Sequence, residues 1–159
     1  MDNRNIIENF YDAFAAKDVE NMLKCYHPEV TFEDPAFGLL NSDDARNMWR
    51  MLLSGNSGLD IHYAKVDADQ HQGSAQWVAK YIFSKTGRRV TNYITAHFEF
   101  KDGLIYRHRD HFSLWNWTRQ ALGLPGLLFG WGPWTKSRLQ KSTRHMLEAY
   151  KKKTGSAKN

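Results

Sequence analysis

The sequence predicts an α+β domain, and three observations carry that prediction. Apolar residues recur at helical spacing through the first fifty positions. Four long β-favouring runs then follow one another between residues 59 and 117. Short turn signals separate those runs: Gln72-Gly73, Thr86-Gly87 and Asp102-Gly103. Helices gathered at one end of a chain and strands at the other argue for α+β rather than alternating α/β. A chain of 159 residues is long enough for one domain with a real core.

Each element has its own justification. Residues 3–16 carry Ile6, Ile7, Phe10, Phe14 and Ala15 on one helical face. Asp18 is a suitable N-cap for a second, short helix with Val19, Met22, Leu23 and Tyr26, and Pro28 closes that region. Residues 29–34 alternate as a strand that Pro35 stops. Ser42-Asp43-Asp44 offers the start of a third helix through about Leu53, with Ala45, Met48, Trp49 and Leu52 on one face. Residues 55–58 read as a loop. The strands are then expected at 59–69, 74–84, 89–101 and 104–117. Residues 121–134 are apolar but broken by Gly and Pro, as in a loop across the end of the sheet, a subunit contact or a membrane-surface contact. A helix over 135–152 presents Leu139, Met146, Leu147 and Tyr150, and residues 154–159 read as a disordered tail.

Composition narrows the partners. Aromatic residues make up 14% and charged residues 25%, which is a folded globular chain. Much of the net charge of +5 lies in Lys136, Arg138, Lys141, Arg144 and Lys151 to Lys153, a pattern typical of a solvated helix face. There is no recognisable nucleic-acid motif, so no nucleic-acid partner is expected. Membrane contact is not expected either, since no apolar run approaches 18 residues and the first residues form no signal segment. The single cysteine, Cys25, sits in an apolar pattern and reads as buried filler; the expected compartment is the cytoplasm. The seven histidines show no metal-ligand spacing, and no phosphate loop or dinucleotide fingerprint occurs, so neither metal nor cofactor is expected.

Strand alternation selects the candidate site. In 104–117, His108, Asp110, Phe112 and Leu114 share one face, and Arg107, Arg109, His111 and Ser113 the other. Phe112 and Leu114 mark the first face as inner. An inward acid is paired, held neutral, or placed for chemistry. A His108–Asp110 pair fits either a structural or a catalytic role. On the neighbouring strands Trp77, Ala79, Tyr81 and Phe83, then Asn92, Ile94, Ala96, Phe98 and Phe100, face inward. Tyr81 and Asn92 are polar groups that either orient a ligand carbonyl or satisfy each other and the backbone. Tyr93, Thr95 and His97 face outward.

Three stretches resemble the nuclear transport factor 2-like superfamily, and within it the SnoaL-like and ketosteroid-isomerase-like proteins. They are residues 9–18 running into 25–35 (Cys-Tyr-His-Pro-Glu-Val-Thr-Phe-Glu-Asp-Pro), residues 96–105 (Ala-His-Phe-Glu-Phe-Lys-Asp-Gly-Leu-Ile) and residues 107–112 (Arg-His-Arg-Asp-His-Phe). The resemblance implies a curved antiparallel sheet folded into a cone around the N-terminal helices, a deep pocket inside, and a homodimer through the outer sheet face. It places a SnoaL-like domain at 1–120, with the apolar loop and basic helix of 121–153 as part of the same domain. It puts Asp34 where ketosteroid isomerases keep a general base. The oxyanion-hole positions of those enzymes fall on Phe10 and Ala96, which cannot donate, and Tyr11 is turned about 100° along the helix from Phe10. Asp110 matches the acid/base of SnoaL-like cyclases and the base of limonene-epoxide hydrolases; the Arg-x-Asp pair of the hydrolases is missing from 77–84.

The expected function is therefore a cofactor-independent acid/base enzyme of isomerase, cyclase or hydratase/hydrolase type, acting on a small hydrophobic carbonyl compound. Asp110 is its principal acid/base, His108 the partner and Asp34 a second acid. Phe10, Phe14, Trp49, Tyr81, Phe83, Asn92 and Phe112 line the pocket. The alternative from another class is a non-catalytic small-molecule-binding or interaction module of the same fold.

Overall fold

The computed structural model describes residues 2–55, 58–124 and 132–156. Among them are five helices and a six-stranded curved sheet, the α+β architecture predicted above. Helix α1 spans Asn3–Ala15 and is capped by Asp2, whose side chain accepts from Arg4 N. Its buried face is wide, taking in Ile6, Ile7, Phe10, Tyr11 and Phe14. Helix α2, Val19–Lys24, starts at the expected cap: Asp18 accepts from Asn21 N. Helix α3, Ser42–Ser54, is capped one residue earlier than expected, by Asn41, leaving Asp43 and Asp44 in the first turn where the helix dipole favours them. Leu52, expected on its apolar face, is 42% exposed.

The strands are β1 (Tyr26–Asp34), β2 (Gly38–Leu40), β3 (Asp60–Ala68), β4 (Gln72–Phe83), β5 (Arg88–Lys101) and β6 (Leu104–His111). They lie in the order β2-β1-β6-β5-β4-β3, so β2 and β3 are edges and the sheet does not close. Strands β3 to β6 form the expected antiparallel meander, with Asp102 and Gly103 at positive φ in the Asp-Gly turn. Register shifts between Ala64 and Asp67 and between Glu99 and Phe100 bend it. Strand β1 pairs in parallel with β6, aligning Phe32 with His108 and Glu33 with Arg109. This pairing brings the first and last strands together and supplies half of the candidate site.

The strand expected over 104–117 stops at His111. Ser113 accepts from Asn116 N and starts helix α4, Leu114–Leu122. Thr118 and Ala121 are buried on it. The aromatic residues 112–117 favour strands locally, but the cap and this helical burial outweigh that preference. Helix α5 begins at Pro133 and runs to Ser156, past the expected end at 152. Its Leu147 is buried, Met146 is 45% exposed, and Lys151 bridges to Asp43 and Asp44 on α3 at 3.1 and 2.7 Å. Half of the predicted 121–134 loop, residues 125–131, lies outside the described residues; its first two residues close α4 and its last two open α5. No helix among the described residues is long and apolar enough to cross a membrane.

The core lies between α1 and the inner sheet face. The Phe10 ring centroid is 5.3 Å from that of Tyr26, 5.4 Å from His108 and 6.1 Å from Trp49. Cys25 is buried as expected, and burial pushes its thiol up to about 11, leaving it inert.

Candidate active site

Strand alternation places His108 and Asp110 on the inner face, 1% and 4% exposed. They pair with each other: His108 Nε2 is 2.9 Å from Asp110 Oδ1. Neither outward arginine, Arg107 or Arg109, reaches them; both lie against Glu99 on the outer face. His108 Nδ1 is 2.7 Å from the Tyr26 hydroxyl, and Trp49 Nε1 donates to that same hydroxyl at 2.9 Å. Trp77 Nε1 donates to Asp110 Oδ1 at a long 3.4 Å. The result is a buried chain running Trp49, Tyr26, His108, Asp110, Trp77.

The hydrogen-bond inventory fixes its direction. Burial, with the charge of Asp110 adding to it, holds the Tyr26 phenol well above its usual pKa, so it keeps its proton. The Tyr26 oxygen already accepts from Trp49, so its O–H donates to His108 Nδ1. With Nδ1 accepting from Tyr26, Nε2 is the ring nitrogen that donates to Asp110. Asp110 Oδ1 is occupied by two donors. Its Oδ2 has no hydrogen-bond partner among the described residues.

Asp34 sits at the end of β1, half-buried. Its Oδ1 accepts from the backbone N–H of Ala36 at 2.9 Å and of Phe37 at 2.6 Å. Burial raises its pKa to about 7, with the charge of Asp110 adding to the rise and the two N–H groups opposing it. The structure thus brings Asp34 into the field of Asp110. Tyr81 lies in the field of Asp34, and its hydroxyl accepts from Trp117 Nε1 on α4 at 2.5 Å. Of the two alternatives for Tyr81 and Asn92, mutual pairing does not form; Asn92 is 9% exposed and its side chain makes no hydrogen bond among the described residues. Phe10, Phe14 and Trp49 are packed into the core, at 0%, 3% and 2% exposure. Phe83 packs edge-on against Trp117, and Phe112 lies beyond β6, partly buried against the core. No group of three or more His, Cys, Asp or Glu among the described residues is arranged to hold a metal.

Comparisons with known proteins fit this geometry. The SnoaL-like domain family matches residues 7–108. The chain belongs to this family. The matched stretch of this SnoaL-like domain contains Tyr26, Asp34, Trp49 and His108 and stops two residues short of Asp110. Among solved structures it is similar to an LEH-like epoxide hydrolase of M. tuberculosis, at 20% identity over 79% of this chain and 94% of that one, with a TM-score of 0.64. An NTF2-like protein of unknown function from Burkholderia pseudomallei superimposes with a TM-score of 0.65 at 16% identity, over 76% of this chain and 98% of that one. TerC, crystallised with polyporic acid, gives 0.58 at 18% identity, over 69% and 90%. At these identities the likeness establishes the fold. No curated protein matches the sequence.

Two parts of the SnoaL-like site escaped the sequence reading. Tyr26, whose helical spacing places it at the end of the second helix face, instead opens β1 and shares parity with Val30 and Phe32, all three buried. That parity is the signal that points to it. Tyr11 is not turned out of the interior: it is 0% exposed, stacked on Tyr63 at 5.2 Å and 6.0 Å from Trp77. The face of α1 is wide enough to bury neighbours 10 and 11 together. The Tyr11 hydroxyl is occluded and has no partner among the described residues. An unsatisfied buried hydroxyl costs about 1–3 kcal/mol. Tyr11→Phe is therefore expected to raise stability by about 1 kcal/mol, seen as an increase of about 2–4 °C in Tm by thermal denaturation.

Proposed function

We propose that this SnoaL-like domain is a cofactor-independent acid/base enzyme that moves a proton beside the carbonyl of a small hydrophobic compound. Asp110 is the base, His108 and Tyr26 orient it, and Asp34 is a second acid whose pKa near 7 lets it give or take a proton at neutral pH. The observation that carries the reading is the buried chain ending on Asp110, in which one carboxylate oxygen takes both donors and the other has no partner among the described residues. A structural ion pair has no need of a spare lone pair; a general base does. Tyr81 and Asn92 are the groups that orient the carbonyl.

The test is deuterium exchange at the α-carbon of hydrophobic ketones in D2O, followed by NMR. Wild type is expected to accelerate exchange, and Asp110→Asn to slow it by about 10²- to 10⁴-fold while keeping the native circular dichroism. Equal exchange by both proteins overturns the reading. The closure of the interior around Asp110, 4% exposed, is what favours the alternative, a non-catalytic binding module; a ketone bound by both proteins without exchange supports that alternative. The proposal includes a homodimer through the outer sheet face, where Tyr93 is 72% exposed beside outward Thr95 and His97. Tyr93→Glu is then expected to shift the sedimentation coefficient from dimer to monomer; an unchanged coefficient rejects this interface.

A further inference from the structure

Helix α5 lies wholly outside the matched residues 7–108, yet three of its side chains grip the turn beside Asp34 and the strand β2 that follows it. Gln140 Nε2 donates to Pro35 O at 3.2 Å, Thr143 Oγ1 to Ala36 O at 2.8 Å, and Arg144 to Leu39 O at 2.6 Å. The first two matter because of which peptide units they hold. The Pro35 carbonyl and the Ala36 N–H belong to one planar peptide unit, and the Ala36 carbonyl and the Phe37 N–H to the next. Both N–H groups donate to Asp34 Oδ1. Each plane is therefore pinned on one edge by α5 and on the other by the carboxylate. The packing is close: a Cβ at Gly38 would stand 3.1 Å from Gln140 Oε1.

We propose that α5 is a working part of the site, with Gln140 and Thr143 as positioning residues that hold the two peptide planes donating to Asp34, and Arg144 securing β2 beyond the turn. This rests on the acid/base reading of Asp34. A donor on a carbonyl polarises its peptide unit and strengthens the bond from the N–H on the other side. Those N–H bonds favour the carboxylate, so α5 offsets part of the effect of burial. The other charged or titratable groups acting on Asp34 are Asp110 on β6, Glu33 on β1 and Tyr81 on β4. Leu147 and the Lys151 bridges hold α5 independently of residues 140 and 143. Changing those two side chains should release the planes without releasing the helix.

The experiment is a carboxyl ¹³C NMR titration of the full chain labelled at aspartate, with the Asp34 signal assigned by its loss in Asp34→Asn. In the near-isosteric double variant Gln140→Met/Thr143→Val, the Asp34 midpoint is expected to rise by about 0.5–1 pH unit. Thr143→Ser, which keeps the hydroxyl, and Lys141→Ala, on the exposed side of α5, should titrate like wild type. If circular dichroism shows the double variant unfolded, Thr143→Val alone is read the same way. An unchanged or lowered midpoint in the folded variant overturns the proposal. The titration uses no substrate, so it fails or succeeds separately from the exchange assay.

Discussion

Replacing His108 with Leu should lower the unfolding free energy by about 3–5 kcal/mol, and adding Asp110→Leu should recover much of that loss. His108 is the short-range donor to Asp110 and the acceptor for Tyr26, and it is 1% exposed. The single substitution strands two buried polar groups at once: a carboxylate left with one long bond from Trp77, and a phenol whose proton has lost its acceptor. Leaving a buried carboxylate unpaired costs more than the pair contributes, whereas the double variant removes that carboxylate and leaves only the weaker penalties of the Tyr26 hydroxyl and the Trp77 N–H. Urea denaturation of the four proteins in the double-mutant cycle measures this. Additive losses would mean that the two residues do not act as a pair, and the buried chain proposed for the site would fail with them.

The second large effect is on pH dependence. The folded-state pKa of Asp34, about 7, lies above the ordinary value of about 3.9 for an unfolded aspartate. Between those values the folded protein binds the proton that the unfolded chain has released. Stability from this group is therefore fully present below about pH 4, declines as pH rises, and is lost once the folded carboxyl ionises near 7. A half-buried group keeps only part of the full linkage, so the decline is about 1–3 kcal/mol. Asp34→Asn keeps the oxygen that accepts from Ala36 and Phe37 and removes the titration. It should match wild type near pH 4 and exceed it by that amount at pH 8. Parallel stability curves for the two proteins would show that Asp34 folds with an unshifted carboxyl and would remove it as a neutral-pH acid.

Asp110 and His108 were legible because alternation along a strand is rigid: with Arg107 and Arg109 facing out, positions 108 and 110 of β6 had to face the core. The Asp102-Gly103 turn and the Asp18 cap were legible because each places one residue type in one local conformation. Tyr26 and Trp49 were harder. They reach His108 through the parallel pairing of β1 with β6 and through the packing of α3, and no local pattern encodes a contact between residues 82 positions apart. Residues 112–117 misled for the opposite reason: their local preference is strong, and tertiary burial overrode it. The contacts of α5 with residues 35–39 involve a helix whose sequence reads simply as a solvated basic face. What betrays its role is the set of carbonyls it meets, which the sequence does not display.

The parallel pairing of β1 with β6 also orders events in time. Because Tyr26 and His108 are so far apart along the chain, closing them carries a loop-entropy cost that a β3 to β6 meander already in place reduces. During synthesis the ribosome must release residue 110 before the site can assemble at all. Until then β1 is an edge without its neighbour, and the aromatic face made by Phe10, Phe32 and Trp49 stands uncovered. The same strand order makes the site wait for the last strand to be synthesised, and an aromatic face left uncovered until then is the kind of surface that favours aggregation.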